Sequence, residues 1–195
     1  MQKAKNRTAA TVITMLVIAM AILSFYFYWS YRTSPLDEVS VEDMTEVQKL
    51  LNKDLELYYP ETSREVTKLF GSMMKNLYDN ISDEEREALA IKIRELYDEE
   101  FLAANPQESY LKNLYSDVAS WKAVNRRISA FHLVKEDLEQ QVELDGVKYA
   151  IEYLSFTIQE SGKFTETWNV MLRQDGNKKW KVLGWKVVSE DAQTD

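Results

Sequence analysis

Ser161-Gly162-Lys163-Phe164-Thr165-Glu166-Thr167-Trp168-Asn169-Val170-Met171-Leu172-Arg173-Gln174-Asp175-Gly176 is a period-two run held between two glycine turns. Successive side chains of a strand point to opposite faces, so Phe164, Trp168, Val170 and Leu172 share one side. A turn dipeptide at each end sends the chain back antiparallel. Upstream, Asp145-Gly146 marks a third such turn. The stretches it separates, Val147 to Gln159 and Lys179 to Val188, are rich in β-branched and aromatic residues. The spacing predicts hairpins in sequence, hence an antiparallel meander. Ile128 to Val134 reads as a further strand, and residues 137–144 as a short one pairing across Asp145-Gly146. The apolar register of Val147 to Gln159 shifts near Tyr153-Leu154, which predicts a bulge there.

Before Arg126 the period is helical. Thr62 with Glu65 forms a T-x-x-E capping box, and Val66, Leu69, Phe70, Met73, Met74, Leu77 and Tyr78 keep the 3-4 spacing behind it. Four helices are expected. The first runs from about Val41 to Lys53 with Ser40 as its cap. The second is the Thr62 helix. The third starts at Ser82, with Glu85 as box partner and Leu89, Ile93, Leu96, Tyr97 and Phe101 on its buried face. The fourth restarts at Asn105-Pro106-Gln107-Glu108, Asn capping and Pro at the first helical position, and presents Leu111, Leu114, Tyr115, Val118 and Trp121. Helices first and strands later, without βαβ alternation, give an α+β class in which one sheet face holds the helices.

Outward from the domain lies a different material. Residues Ala9 to Tyr31 are apolar and uncharged. At about 1.5 Å rise per residue such a run crosses the roughly 30 Å hydrocarbon layer. Lys3, Lys5 and Arg7 precede it and Phe25 to Tyr31 crowd its far end with rings, so the N-terminus is expected in the cytoplasm and the rest outside. The expected division is a cytoplasmic tail 1–7, a transmembrane helix 8–31, a linker 32–40, an extracytoplasmic α+β domain 41–190 and a polar tail 191–195. Residues 33–39 reach no more than about 25 Å, which keeps the domain near the bilayer. The competing reading is a cleaved signal peptide with Ala19-Met20-Ala21 as the small-x-small site.

All 32 acidic residues follow Leu36, against 20 of the 24 basic ones after Thr33, so the outer domain carries about −12. That balance argues against nucleic acid and anionic lipid as partners of the domain. Cysteine is absent, which removes disulfides, thiolate chemistry and Cys-ligated metals.

The helix-then-sheet order, closing on Gly176-Asn177-Lys178-Lys179-Trp180-Lys181-Val182-Leu183-Gly184-Trp185, resembles NTF2-like domains, the cone-shaped α+β fold. It is similar in particular to outer domains of uncharacterised bacterial single-pass membrane proteins, and more weakly to VirB8-like components of secretion and conjugation channels. The resemblance covers roughly residues 62–188 and implies a curved sheet around a cone. It fixes no function, because that fold hosts isomerases, dehydratases, scaffolds and binding modules. In NTF2-like enzymes an Asp or His pointing into the cone acts as general base.

His132, the sole histidine, is therefore the one catalytic candidate, with Asp137 and Glu152 as conceivable partners. Trp168, Trp180 and Trp185 are the candidate ligand- or partner-binding residues, since alternating aromatics can line a concave pocket. Trp180 and Trp185 stand five apart, so a regular strand turns them to opposite faces. Asp83-Glu84-Glu85 and Asp98-Glu99-Glu100 are consecutive helical residues and read as solvated faces. No metal site and no cofactor are expected: a second His is missing, and neither a calcium loop nor a phosphate loop occurs. The expected role is a non-enzymatic module anchored through residues 8–31 that binds an envelope protein or a small apolar ligand. The alternatives are a small isomerase or hydratase using His132, or a structural channel subunit.

Overall fold

The computed structural model describes residues 44–134 and 140–188. The expected anchor, linker and polar tail lie outside the described residues, as does Asp137. Among the described residues no helix is long and apolar enough to cross a membrane.

Among the described residues, five α-helices and a five-stranded antiparallel sheet make the α+β fold. Helix α1 (Glu46–Leu51) begins later than the spacing predicts, because Thr45, not Ser40, supplies the cap. Thr45 and Gln48 satisfy each other's backbone N–H groups in a capping box, which removes two of the orphan donors of a helix start. Helix α2 (Ser63–Leu77) and helix α3 (Asp83–Ile93) start at the predicted boxes, Thr62 with Glu65 and Ser82 with Glu85. Helix α2 is the spine of the domain: Val66, Phe70, Met73 and Leu77 are fully buried. A Cβ placed on Gly71 would lie 2.8 Å from the Phe131 ring and 3.0 Å from Leu154, so only glycine lets α2 lie this close to the sheet.

The expected third helix is in fact two. It ends at Ile93, passes through a 3₁₀ turn (Arg94–Leu96), and at Tyr97 forms a parallel bridge to Val182. The Asp98 N–H donates to the Val182 carbonyl at 2.9 Å, and the Asp98 carboxylate caps a new helix, α4 (Glu99–Ala104). Pairing with the sheet has overridden continuous helical periodicity. Helix α5 (Gln107–Ala123) starts after Pro106, which occupies the cap position; Asn105 instead closes α4, its amide donating back to the Phe101 carbonyl at 2.9 Å.

The strands are β1 (Arg127–Leu133), β2 (Gln140–Leu144), β3 (Val147–Gln159), β4 (Lys163–Gln174) and β5 (Trp180–Val187), in the order β1-β3-β4-β5. Strand β2 pairs with the first half of β3 across Asp145-Gly146, as expected, and β1 with the second half, so both lie along one edge of β3. Asp145 and Gly146 both take positive φ, 52° and 78°, the backbone of a tight hairpin turn. The expected bulge at Tyr153-Leu154 is absent: β3 and β4 stay in register from Tyr149 opposite Arg173 to Gln159 opposite Lys163. The apolar shift has another cause, since Tyr153 stands on the outer face and Leu154 on the inner. The irregularities fall in β1, between Ile128 and Ala130, and in β5, between Val182 and Gly184, where they curve the sheet. Leu154, Phe156, Ile158, Trp168, Val170, Leu172 and Val182 face the helices and are buried.

Candidate functional site

The β5 irregularity decides the site. Leu172 pairs with Val182 while Met171 pairs with Gly184, so one extra residue, Leu183, is inserted. The insertion restores parity, and Trp180 and Trp185 both face the helices. The expectation of opposite faces is thereby corrected; it assumed an unbroken strand. The three tryptophans nevertheless do different things. Trp185 reaches the helices and stacks parallel on Trp168, centroids 6.0 Å apart at 2°. Trp168 backs it and donates its indole N–H to Glu166 at 3.2 Å. Trp180 is buried elsewhere, its carbonyl accepting from the Tyr59 hydroxyl at 2.7 Å.

Around Trp185 gathers a cluster that sequence periodicity had assigned only to core. Phe70 lies 5.1 Å from the Trp185 centroid and Phe101 5.3 Å, the latter edge-on. Tyr97 contacts Phe101 at 4.9 Å and Tyr110 at 6.2 Å, both nearly perpendicular. These rings do not fill their space. A cavity of about 190 Å³ remains between α2, α4, α5 and β5, walled by Met74, Leu77 and Tyr78 on one side and by Phe101 and Trp185 on another. Tyr110, Leu114, Asn105, Asn113 and Asp117 complete it, with Asn113 and Asp117 exposed at the mouth.

Tyr97 is the chemically unusual member. It is 2% exposed, and its hydroxyl makes no hydrogen bond of full geometry. The Tyr110 hydroxyl is its polar neighbour, and the two phenols shift each other's titration. Burial, then Tyr110, push the Tyr97 phenol well above its ordinary value. Burial also raises Tyr78, with the nearby Asp117 carboxylate adding to it, and raises Tyr110. All three rings therefore enter the cavity as neutral phenols. A buried hydroxyl left unpaired costs free energy that native structures normally avoid.

Two polar clasps hold the walls. Asp98, read from sequence as a solvated residue, is buried: it accepts from Arg173 through both oxygens, at 2.5 and 3.0 Å, and from the Glu100 N–H at 3.0 Å. A second acceptor, Glu100, takes Arg173 at 2.8 Å. At the other end of α4, Arg94 donates to the Asn105 carbonyl at 2.9 Å and lies over the Tyr110 ring, 5.1 Å from its centroid.

His132 does not belong to this site. It pairs with Ser155 on β1, is exposed, and projects from the sheet face opposite the pocket, while Phe131 and Leu133 turn inward. Glu152 stands on the helix-facing side, accepting from the Ser63 hydroxyl at 2.6 Å, and cannot meet His132. Among the described residues no group of three or more His, Cys, Asp or Glu is placed to hold a metal ion. Sequence reasoning missed Tyr97 and Asp98; the available signal was Asp98-Glu99-Glu100 before Phe101, an acidic first turn behind an Asp cap.

A family model described as "Domain of unknown function (DUF6715)" matches residues 1–185, and the chain belongs to that family. No curated protein matches it.

Proposed function

We propose that this chain is a membrane-anchored, extracytoplasmic, non-enzymatic binding module of NTF2-like form that takes a small, largely apolar ligand into the pocket beside Trp185. The observation that carries the reading is the cavity of about 190 Å³ walled by Tyr78, Tyr97, Phe101, Tyr110 and Trp185. An apolar engineered cavity of about 150 Å³ accepts benzene, so this one suits a single ring with a short substituent. Concave aromatic sites with few polar groups are the usual form of small-molecule pockets. The anchor rests on the uncharged run 9–31, and the outer placement on the Lys3, Lys5, Arg7 excess before it.

Asn113→Trp tests the pocket, because it blocks the mouth from an exposed position. Single-ring fragments at about a hundred times Kd are expected to raise the melting temperature of the full-length chain by about 5 °C and to leave that of the variant unmoved. An equal shift in both, or no shift with any fragment, overturns the reading. Protease shaving of whole cells tests the topology: digestion of the C-terminal portion only after lysis overturns it.

A second reading, a structural subunit of an envelope channel, draws on the outer sheet face, where Val142, Leu144 and Met171 are exposed. Crosslinking in intact cells from Met171 replaced by a photoreactive residue tests it, and no adduct at all removes it.

A further inference from the structure

The ligand class can be narrowed from the charges and ring faces of the same pocket, and this step rests on the reading just given. Five aromatic residues wall the cavity: Tyr78, Tyr97, Phe101, Tyr110 and Trp185. Their rings meet edge-on or tilted rather than in parallel stacks. Of the lining side chains, Asp117 alone carries charge, and it makes no ion pair with a described residue. Arg94 lies over the Tyr110 ring, donates to the Asn105 carbonyl and is not among the lining residues.

We infer that the pocket is selective for an organic ammonium ion, a single-ring amine of about ten heavy atoms held among the aromatic walls and with its charge balanced by Asp117. Each feature has its counterpart in that chemistry. The negative faces of neutral phenol and indole rings attract a desolvated cation, and a carboxylate at the mouth draws it in from water. A carboxylate ligand meets the opposite: it places a negative charge beside Asp117 with no lining cation. The net charge of −8 on the whole chain favours the cation again.

Calorimetric titration of the full-length chain with phenethylammonium, 2-phenylethanol and phenylacetate, which share one ring and a short arm, tests this. The ammonium is expected to bind about tenfold tighter than the alcohol, and phenylacetate weakest. In Asp117→Asn, an exposed site, the ratio of ammonium to alcohol affinity is expected to fall to about one. Equal binding of alcohol and ammonium by the native chain, tightest binding of phenylacetate, or an ammonium preference that survives Asp117→Asn overturns the ammonium assignment and leaves a neutral-ligand pocket standing. Binding of none of the three overturns both the assignment and the pocket.

Discussion

Two buried polar side chains at opposite ends of the same helical layer are held in different ways. Arg86 is fully buried at the junction of α2 and α3, and its terminal nitrogens donate to the carbonyls of Leu77, Asp79 and Ile81. The Leu77 carbonyl is one that the end of α2 leaves without a helical partner, and those of Asp79 and Ile81 follow in the turn to α3, so the guanidinium ties that turn together from inside. Tyr97 is equally deep, and its hydroxyl makes no hydrogen bond of full geometry. Arg86 also keeps one buried nitrogen, Nε, without a hydrogen bond, but its two terminal nitrogens are spent on backbone carbonyls. The contrast is one of degree: the arginine ties a turn together, and the phenol is held by ring packing alone.

The largest effect should come from breaking the Arg86 site. Arg86→Met takes the guanidinium donors from the buried Leu77 carbonyl and the half-buried Asp79 and Ile81 carbonyls, of which that of Asp79 keeps the Ile81 N–H, and is expected to cost about 3–5 kcal/mol, measured by denaturant unfolding of the full-length chain. A cost under about 1 kcal/mol would show that water reaches those carbonyls and would dissolve the contrast.

Next comes the spine shared by both places. Gly71→Ala puts a methyl against Phe131 and Leu154 and is expected to cost about 1–3 kcal/mol, since α2 or the β1–β3 face must yield. The same denaturation series measures it. A neutral Gly71→Ala would mean that the layer is loose enough to absorb the methyl.

The smallest effect sharpens the contrast most. Tyr97→Phe removes a hydroxyl that makes no hydrogen bond of full geometry, so neutral-pH stability should stay within about 0.5 kcal/mol of native. Its signature lies at high pH. The folded chain holds Tyr97, Tyr110 and Tyr78 protonated above the ordinary range, mainly through burial. Above about pH 10 the unfolded chain loses those protons first. The folded state then binds more protons, and stability falls as pH rises through that window, while below it the contribution is whole. Tyr97→Phe should make the fall shallower in melts between about pH 9 and 11.5.

What could be read from the sequence was what neighbours along the chain decide. The boxes at Thr62 and Ser82 and the turns at Asp145-Gly146, Ser161-Gly162 and Asp175-Gly176 are local chemistry, and each stands where the residues place it. The reading failed where a distant segment chose the outcome. The carbonyl of Val182 captures the Asp98 N–H and ends a helix that periodicity alone would continue. The strand beside β5 accepts one residue too many at Leu183, and Trp185 is thereby delivered to the pocket instead of to the outer face. Asp98 looks like its acidic neighbours until Arg173 arrives from β4. His132, chosen because it is alone, sits on the wrong side of a sheet whose facing one strand cannot reveal.

Helix α4 has six residues and none of them is fully buried. Its ends are tied by Asp98 and Glu100 to Arg173 and by the Asn105 carbonyl that Arg94 holds, and between them Phe101 packs on Tyr97 and Trp185. An element with so little buried surface is of the kind that opens at a lower free energy than a core helix, and hydrogen exchange at α4 faster than at α2 is the expected signature.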